Sequence, residues 1–263
     1  MPRSEDLSRI RAGLLAAAEA VRPFTPGDVA FETKAERGDP VTEADRAADR
    51  VLRALLPRDG EGWLSEESAD DRARLDVRRV WVVDPIDGTR EFVQGIPEWC
   101  ISIGLVEEGS PVAGGILNPA TGELVLGAVG EGVTYNGAPA SVLDPEDLAG
   151  VTVLASRSEL RRGEWARFED ARFRVRPCGS VAYKMGLVAA GRVEATFTVV
   201  PKHEWDVAAG TALVRAAGGR VTLGDGSEPR FNQPRPRFPN LVAAGPRPWA
   251  ALLALGLNGD RPS

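Results

Sequence analysis

The segment Trp81-Val82-Val83-Asp84-Pro85-Ile86-Asp87-Gly88-Thr89 joins an apolar run of strand type to two carboxylates three positions apart. The run predicts a buried strand that delivers Asp84 at its end. Pro85 then fixes a turn and Asp87 arrives one turn later, so both acids face one point. Carboxylates so placed repel each other unless a cation lies between them. Gly88 permits close approach to the backbone, and the N–H groups of Gly88 and Thr89 can meet an anion at a helix start. A divalent metal with a phosphate above it is the economical interpretation. The alternative is an ordinary strand-to-turn junction, which most Asp-Pro and Asp-Gly pairs are.

Acids at the ends of apolar runs recur. Glu66-Glu67 follows Trp63 to Ser65, and Trp205-Asp206 opens a helix after a third run. Each alone fits a solvated acid or a helix cap, and Asp206 suits the N-cap of a helix over Val207 to Ala217. The set is harder to explain that way. The chain holds one histidine, His203, which excludes HExxH proteases and His-rich metal sites. Cys100 and Cys178 form no CxxC pair, so neither a zinc cluster nor a disulfide framework is indicated, in keeping with a reducing cytoplasm. Hard oxygen ligands alone favour Mg²⁺ or Mn²⁺.

The elements that must position these residues are legible in the periodicity. Ile10, Leu14, Leu15, Ala18 and Val21 recur at helical spacing up to Pro23, and Thr42 stands before Asp45 in the spacing of a capping box that opens a second helix ending at Pro57. Short apolar runs from Cys100 to Val129, with Asn136-Gly137 as a hairpin signal, predict antiparallel strands. From Val151 strands and helices alternate, with a polar helix around Glu159 to Glu169 and a helix from Val181 to Ala190. The stretch Pro229 to Pro239 reads as a surface loop. The boundary falls in Asp144 to Gly150, dividing the chain into an N-terminal α+β half, 1–147, and a smaller C-terminal α/β half, 148–263.

With 263 residues, 43% hydrophobic and 27% charged, the chain can build a sizeable core. Its net charge of −6 is the wrong sign for a nucleic-acid binder, and no apolar run is long enough to cross a bilayer. Of its 32 basic residues only Lys34, Lys184 and Lys202 are lysines. Against an arginine-rich background, a lysine marks a place where a compact point charge is useful.

Gly38-Asp39-Pro40-Val41-Thr42-Glu43-Ala44-Asp45, Leu64-Ser65-Glu66-Glu67-Ser68, Asp84 to Thr89 and Trp205-Asp206-Val207-Ala208-Ala209-Gly210 stand in the order and spacing of the inositol monophosphatase superfamily, which the chain resembles from about Lys34 to Gly219. The resemblance implies a layered αβαβα sandwich. It implies two or three Mg²⁺ ions, with Mn²⁺ as a substitute, held by Glu66, Asp84, the Ile86 carbonyl, Asp87 and Asp206. Thr89, paired with Asp45 and close to Glu66, would orient and deprotonate an attacking water. Asp87, Gly88, Thr89, Gly179 and Ser180 would meet the substrate, a small phosphate ester. Lys34 would sit in a loop closing over the metals. A homodimer and inhibition by Li⁺ are further implications.

The substrate is narrowed by departures from that pattern. Family members that prefer inositol phosphates resemble one another in a Glu seven residues before the Trp-Asp aspartate, where this chain has Val199. Pro201-Lys202-His203-Glu204 and Arg90-Glu91-Phe92 are closer to the 3′(2′),5′-bisphosphate nucleotidase branch, whereas Gly95-Ile96-Pro97 looks like the inositol branch. Lys184 and Lys202 can each meet a second phosphate, and Val181 or Tyr183 can lie against a base. The expectation is a phosphatase of 3′-phosphoadenosine 5′-phosphate, with inositol 1-phosphate as the alternative. A non-catalytic binding protein on the same fold is more distant, because no ligand position is broken.

Overall fold

The computed structural model describes residues 3–33 and 40–257, so Lys34 and Asp39 lie outside the described residues. Helix α1 (Ser4–Val21) buries Ile10, Leu14, Ala17 and Val21 along one stripe and stops before Pro23. A short hairpin, β1 (Phe31–Thr33) with β2 (Pro40–Thr42), leads into α2 (Glu43–Leu55). Thr42 caps α2 as expected: its hydroxyl accepts from the Ala44 and Asp45 N–H groups, and the Asp45 carboxylate accepts the Thr42 N–H at 2.8 Å.

The first sheet has seven strands in sequence order: β3 (Glu61–Ser65), β4 (Arg79–Asp87), β5 (Cys100–Glu107), β6 (Ser110–Asn118), β7 (Glu123–Ala128), β8 (Gly132–Tyr135) and β9 (Ala138–Ala140). Only β3 and β4 are parallel; the rest form an antiparallel meander. Helix α3 (Thr89–Val93) follows β4. Asn136 and Gly137, both at positive φ, turn β8 into β9, as the dipeptide predicts.

The second sheet is built from β10 (Thr152–Ser156), β11 (Arg174–Cys178), β12 (Ala195–Thr198), β14 (Arg220–Thr222) and β16 (Leu241–Ala244), in the order β11-β10-β12-β16-β14. Its helices are α4 (Arg157–Arg161), α5 (Val181–Ala189), α6 (Glu204–Ala216) and α7 (Pro246–Leu253). A two-residue pair, β13 (Lys202–His203) with β15 (Arg237–Phe238), closes the loop before α6.

Alternation along the strands sorts side chains into three packed layers. Trp81, Val83, Ile101 and Ile103 meet α1 and α2. Val80, Val82, Val106 and Ile116 meet α5 and α6, which in turn contact Leu154 and Ala243 of the second sheet. Beyond that sheet, Trp165 stacks on Phe197 at 4.2 Å and α7 closes the layer through Leu252. Full burial of each large apolar side chain contributes about 1.5–3 kcal/mol. The result is the αβαβα sandwich expected. α6 rides directly on the first sheet because β5 and β6 carry glycine beneath it: a Cβ on Gly104 would lie 2.8 Å from Ala209 N, and one on Gly114 would lie 2.6 Å from Ala209 O.

Two local expectations are corrected. The polar helix over 159–169 is a single turn, α4, followed by a 3-10 turn at Ala166–Phe168, because Gly163 at φ +72° breaks the helix between them. The stretch 229–239 is not a plain surface loop: Phe231 and Phe238 are buried edge-to-face at 4.9 Å, so its apolar residues anchor it despite the surrounding Pro and Arg.

Candidate active site

β4 does not end at Asp84. It runs to Asp87 through a bulge, in which Asp84 pairs with Ser102 and Asp87 with Cys100, so three steps on β4 oppose two on β5. Residues three apart on a regular strand point to opposite faces. The extra residue reverses that parity and turns Asp87 to the same face as Asp84, towards α5 and α6. Pro85, which has no N–H to lose, sits inside the bulge. The expected turn between the two acids is thus a strand irregularity.

Three chain segments meet there. Glu66 follows β3, Asp84 comes from β4 and Asp206 from the first turn of α6; one carboxylate oxygen of each lies within 4.8 Å of the others. Asp206 is not the N-cap of its helix. It stands at the third helical position, where its Oδ2 accepts the His203 N–H at 2.8 Å, because the helix begins two residues earlier at Glu204. The His203 ring stacks on Trp205 at 4.6 Å.

Asp87 completes the acidic wall from another direction. Its Oδ2 accepts the Ser180 hydroxyl at 2.7 Å and the Ala182 N–H, so the carboxylate sits at the N-terminus of α5, where helix polarity favours negative charge. Gly88 is held at φ +98°, and a Cβ there would lie 3.0 Å from Glu98 O. The Thr89 hydroxyl lies 2.8 Å from Asp45 Oδ1 and 2.9 Å from the Ile86 carbonyl oxygen.

Burial and mutual repulsion act together on these acids. Asp84, 2% exposed, is held well above the usual carboxylate range by burial first and then by Glu66, Asp87 and Asp206. Asp206 is pushed up to about 8 by burial, Asp87 and Glu66, with Lys202 opposing. Burial also raises Asp87, against its bonds from Ser180 and Ala182, and raises Asp45. Among the described residues, no Arg or Lys forms an ion pair with Asp84, Asp87 or Asp206. A buried Asp84 flanked by the half-buried Glu66 and Asp206 gathers oxygen donors of the kind suited to a divalent cation.

A cleft of about 700 Å³ opens over this wall. Glu66, Ile86, Asp87, Gly88 and Thr89 line it, as do Gly179, Ser180, Lys184, Lys202 and Asp206. Asp84 belongs to the acidic trio behind the lining, and Asp45 reaches the cleft through Thr89. Tyr183 does not line it: its hydroxyl donates to Glu123, which also accepts from Tyr135, and Val181 faces the cleft instead.

Several cleft residues carry no sequence motif. Arg161, Arg162 and Arg237 line the same space, as does Arg90 of the Arg90-Glu91-Phe92 string, and in the first three only the doubled Arg161-Arg162 hints at a basic wall. Lys184 is 1% exposed, and among the described residues its ammonium has neither a hydrogen bond nor an ion pair. Burial, then Lys202, pulls its pKa down. Lys202 pairs with the fully buried Glu159 at 3.0 Å.

The model of the inositol monophosphatase family matches residues 5–254. An inositol-1-monophosphatase of Mesorhizobium japonicum is 37% identical over 200 residues, covering 73% of this chain and 74% of that one. A histidinol-phosphatase of Mycobacterium tuberculosis is 35% identical over 238 residues, covering 85% and 84%. The crystal structure of the extragenic suppressor protein SuhB of Bartonella henselae superposes with a TM-score of 0.83 at 26% identity, over 98% of this chain and all of that one. Family model, relatives and architecture agree that this chain belongs to the inositol monophosphatase family and is a phosphatase acting on small phosphate esters.

Proposed function

We propose that the protein hydrolyses 3′-phosphoadenosine 5′-phosphate or a closely similar bisphosphorylated metabolite, with Mg²⁺ held by Glu66, Asp84, Asp87, Asp206 and the Ile86 carbonyl. The observation that carries the metal assignment is the convergence of Glu66, Asp84 and Asp206 within 4.8 Å, with Asp84 buried and, among the described residues, no lysine or arginine ion pair to Asp84 or Asp206. Two or three ions, or Mn²⁺ in their place, would supply charge neutralisation at the phosphoryl oxygens and a more acidic attacking water.

The chain's own groups do the rest. Thr89, with its hydroxyl hydrogen directed to Asp45 or the Ile86 carbonyl, leaves its oxygen lone pairs to accept a hydrogen bond from the attacking water. Asp45, whose affinity for a proton is raised by burial, takes the proton passed through Thr89. The N–H groups of Gly88 and Thr89 face the phosphate, with Gly179 and Ser180 opposite. In this assignment residues 1–147 supply most of the metal and phosphate contacts, while 148–263 add Asp206 and the basic wall.

The bisphosphate is favoured by Lys184. A buried ammonium with neither a hydrogen bond nor an ion pair among the described residues, lining the cleft near Asp87, suits a second anionic group that inositol 1-phosphate lacks. The same wall, with Arg161 and Arg237 beside it, repels an amine such as that of histidinol phosphate. The 37% identity to an inositol-1-monophosphatase supports inositol 1-phosphate as the second reading.

Phosphate release from 3′-phosphoadenosine 5′-phosphate and from inositol 1-phosphate at equal concentration separates the two. Faster turnover of inositol 1-phosphate overturns the substrate assignment, and activity that survives EDTA overturns the metal. A homodimer, implied by the resemblance, is read by light scattering.

A further inference from the structure

Glu159 does not line the cleft, yet it is fully buried and tied to three parts of the C-terminal half. Its Oε1 lies 3.0 Å from the Lys202 ammonium, its Oε2 accepts the Trp165 indole N–H at 2.9 Å, and the Val199 N–H points to the same oxygen at 3.4 Å. Trp165 is itself fixed by stacking on Phe197. The carboxylate therefore has a rigid seat, and the link from β12 to β13 is held to α4 through it.

Lys202 gains its place from this contact. The contact is an ion pair rather than an aligned hydrogen bond, since Glu159 Oε1 accepts no hydrogen bond among the described residues; the Lys202 side chain, 13% exposed, still lines the cleft, and its ammonium keeps donors for an incoming anion. Lys184 lines the same cleft and lies close enough to feel the Lys202 charge. Two lysines would repel each other at this wall without an acid between them and the core, and Glu159 supplies that acid. The three groups together retain one positive charge, which suits an incoming anion.

We propose that Glu159 is the positioning residue of a subsite for the second phosphate of a bisphosphorylated substrate: it fixes Lys202 at the cleft wall so that Lys202 and Lys184 meet that phosphate together. The proposal rests on the bisphosphate reading above. Glu159 touches neither substrate nor metal, so it acts on KM and not on the chemical step.

The experiment compares steady-state kinetics of the wild type and Glu159→Gln on 3′-phosphoadenosine 5′-phosphate and on inositol 1-phosphate. Gln keeps an acceptor for Trp165 and removes the charge that holds Lys202. The expected result is a KM for the bisphosphate raised about tenfold, with kcat on the bisphosphate and KM for inositol 1-phosphate each changed less than twofold. Adding Lys202→Gln to Glu159→Gln raises KM by less than a further factor of two, because both substitutions disable one unit. An unchanged KM, equal changes on the two substrates, or full additivity overturns the role of Glu159. If Glu159→Gln fails to fold, Lys202→Gln alone is read by the same selective rise in KM, and an equal rise on both substrates is the contrary outcome. A wild type that prefers inositol 1-phosphate sinks the substrate reading and this subsite with it. A wild type that prefers the bisphosphate, with Glu159→Gln unaltered, sinks only the positioning role.

Discussion

The two ends of the first sheet treat buried acids in opposite ways. At one end Asp6, Glu61 and Glu107 share three arginines: Arg9 meets Glu61 at 2.5 Å, Arg3 meets Glu107 at 2.6 Å, and Arg79 contacts all three acids. At the other end of the same strands Asp84 and Asp87 face Glu66 and Asp206. Burial works to raise Glu61, but bonds from Arg9 and Trp81 bring it down to about 2, and the bond from Arg3 lowers Glu107. Asp84, Asp87 and Asp206 all move upward. The first end is complete as a protein structure. At the second, Asp84, Asp87 and Asp206 have no arginine or lysine ion pair among the described residues, the pattern expected of a binding site rather than of a structural ion network.

Substitutions that exchange the two behaviours test the contrast. The largest effect is expected at Asp84→Asn: turnover falls about a thousandfold, while the metal-free protein becomes more heat-stable because one source of buried repulsion is gone. A calorimetric scan in EDTA that shows a lower Tm contradicts this. Thr89→Ala should lower kcat about a hundredfold with a smaller change in KM, and Thr89→Ser should restore most of it; a pure KM effect removes Thr89 from proton handling. Glu61→Gln, at the paired end, should cost about 3 kcal/mol of stability and leave kcat within twofold. A loss of activity without a loss of stability there would erase the distinction.

The smallest effect sharpens the comparison by pH. A group whose folded pKa is raised contributes stability at low pH that is lost as pH climbs to its folded value, so Asp206 makes the metal-free protein less stable between about pH 4 and about pH 8. Glu61 acts with the opposite sign, its contribution being lost as pH falls from about 4.5 to about 2. Melting temperatures measured across pH in EDTA should decline on the alkaline side, and saturating Mg²⁺ should flatten that limb. A flat alkaline limb in EDTA would mean that the acids do not repel.

Much of this was legible locally. Thr42 and Asp45 declare their helix because both partners of the capping box lie within four residues, and Asn136-Gly137 declares its hairpin for the same reason. The order of the acidic motifs predicts that they belong together, and MgII-type oxygen chemistry follows from the donors alone. The bulge at Pro85 was not readable, since a register shift is a property of two strands and β5 lies a dozen residues away. Nor was the fate of Glu159: in Ser-Glu-Leu-Arg-Arg it looks like one more solvated helix acid, and only the packing of Trp165 and Lys202 around it reveals otherwise. Lys184 is the converse case. Its neighbours in sequence suggest a helix face, but whether that face meets solvent, an acid or a cleft is decided by residues distant in sequence, Glu159, Lys202 and Asp87 among them.

Gly104 and Gly114 give this architecture a remote point of control. They let a helix backbone rest on a sheet backbone, and that helix carries Asp206 at its near end. A magnesium ion tolerates little departure from an oxygen distance of about 2.1 Å, and a methyl group at Gly104 or Gly114 would lie only 2.8 or 2.6 Å from the Ala209 backbone, so the helix would have to move away from the sheet. The missing side chains therefore act as a calibrated shim: two residues that never see a ligand set how far the last acid can lean towards the other two.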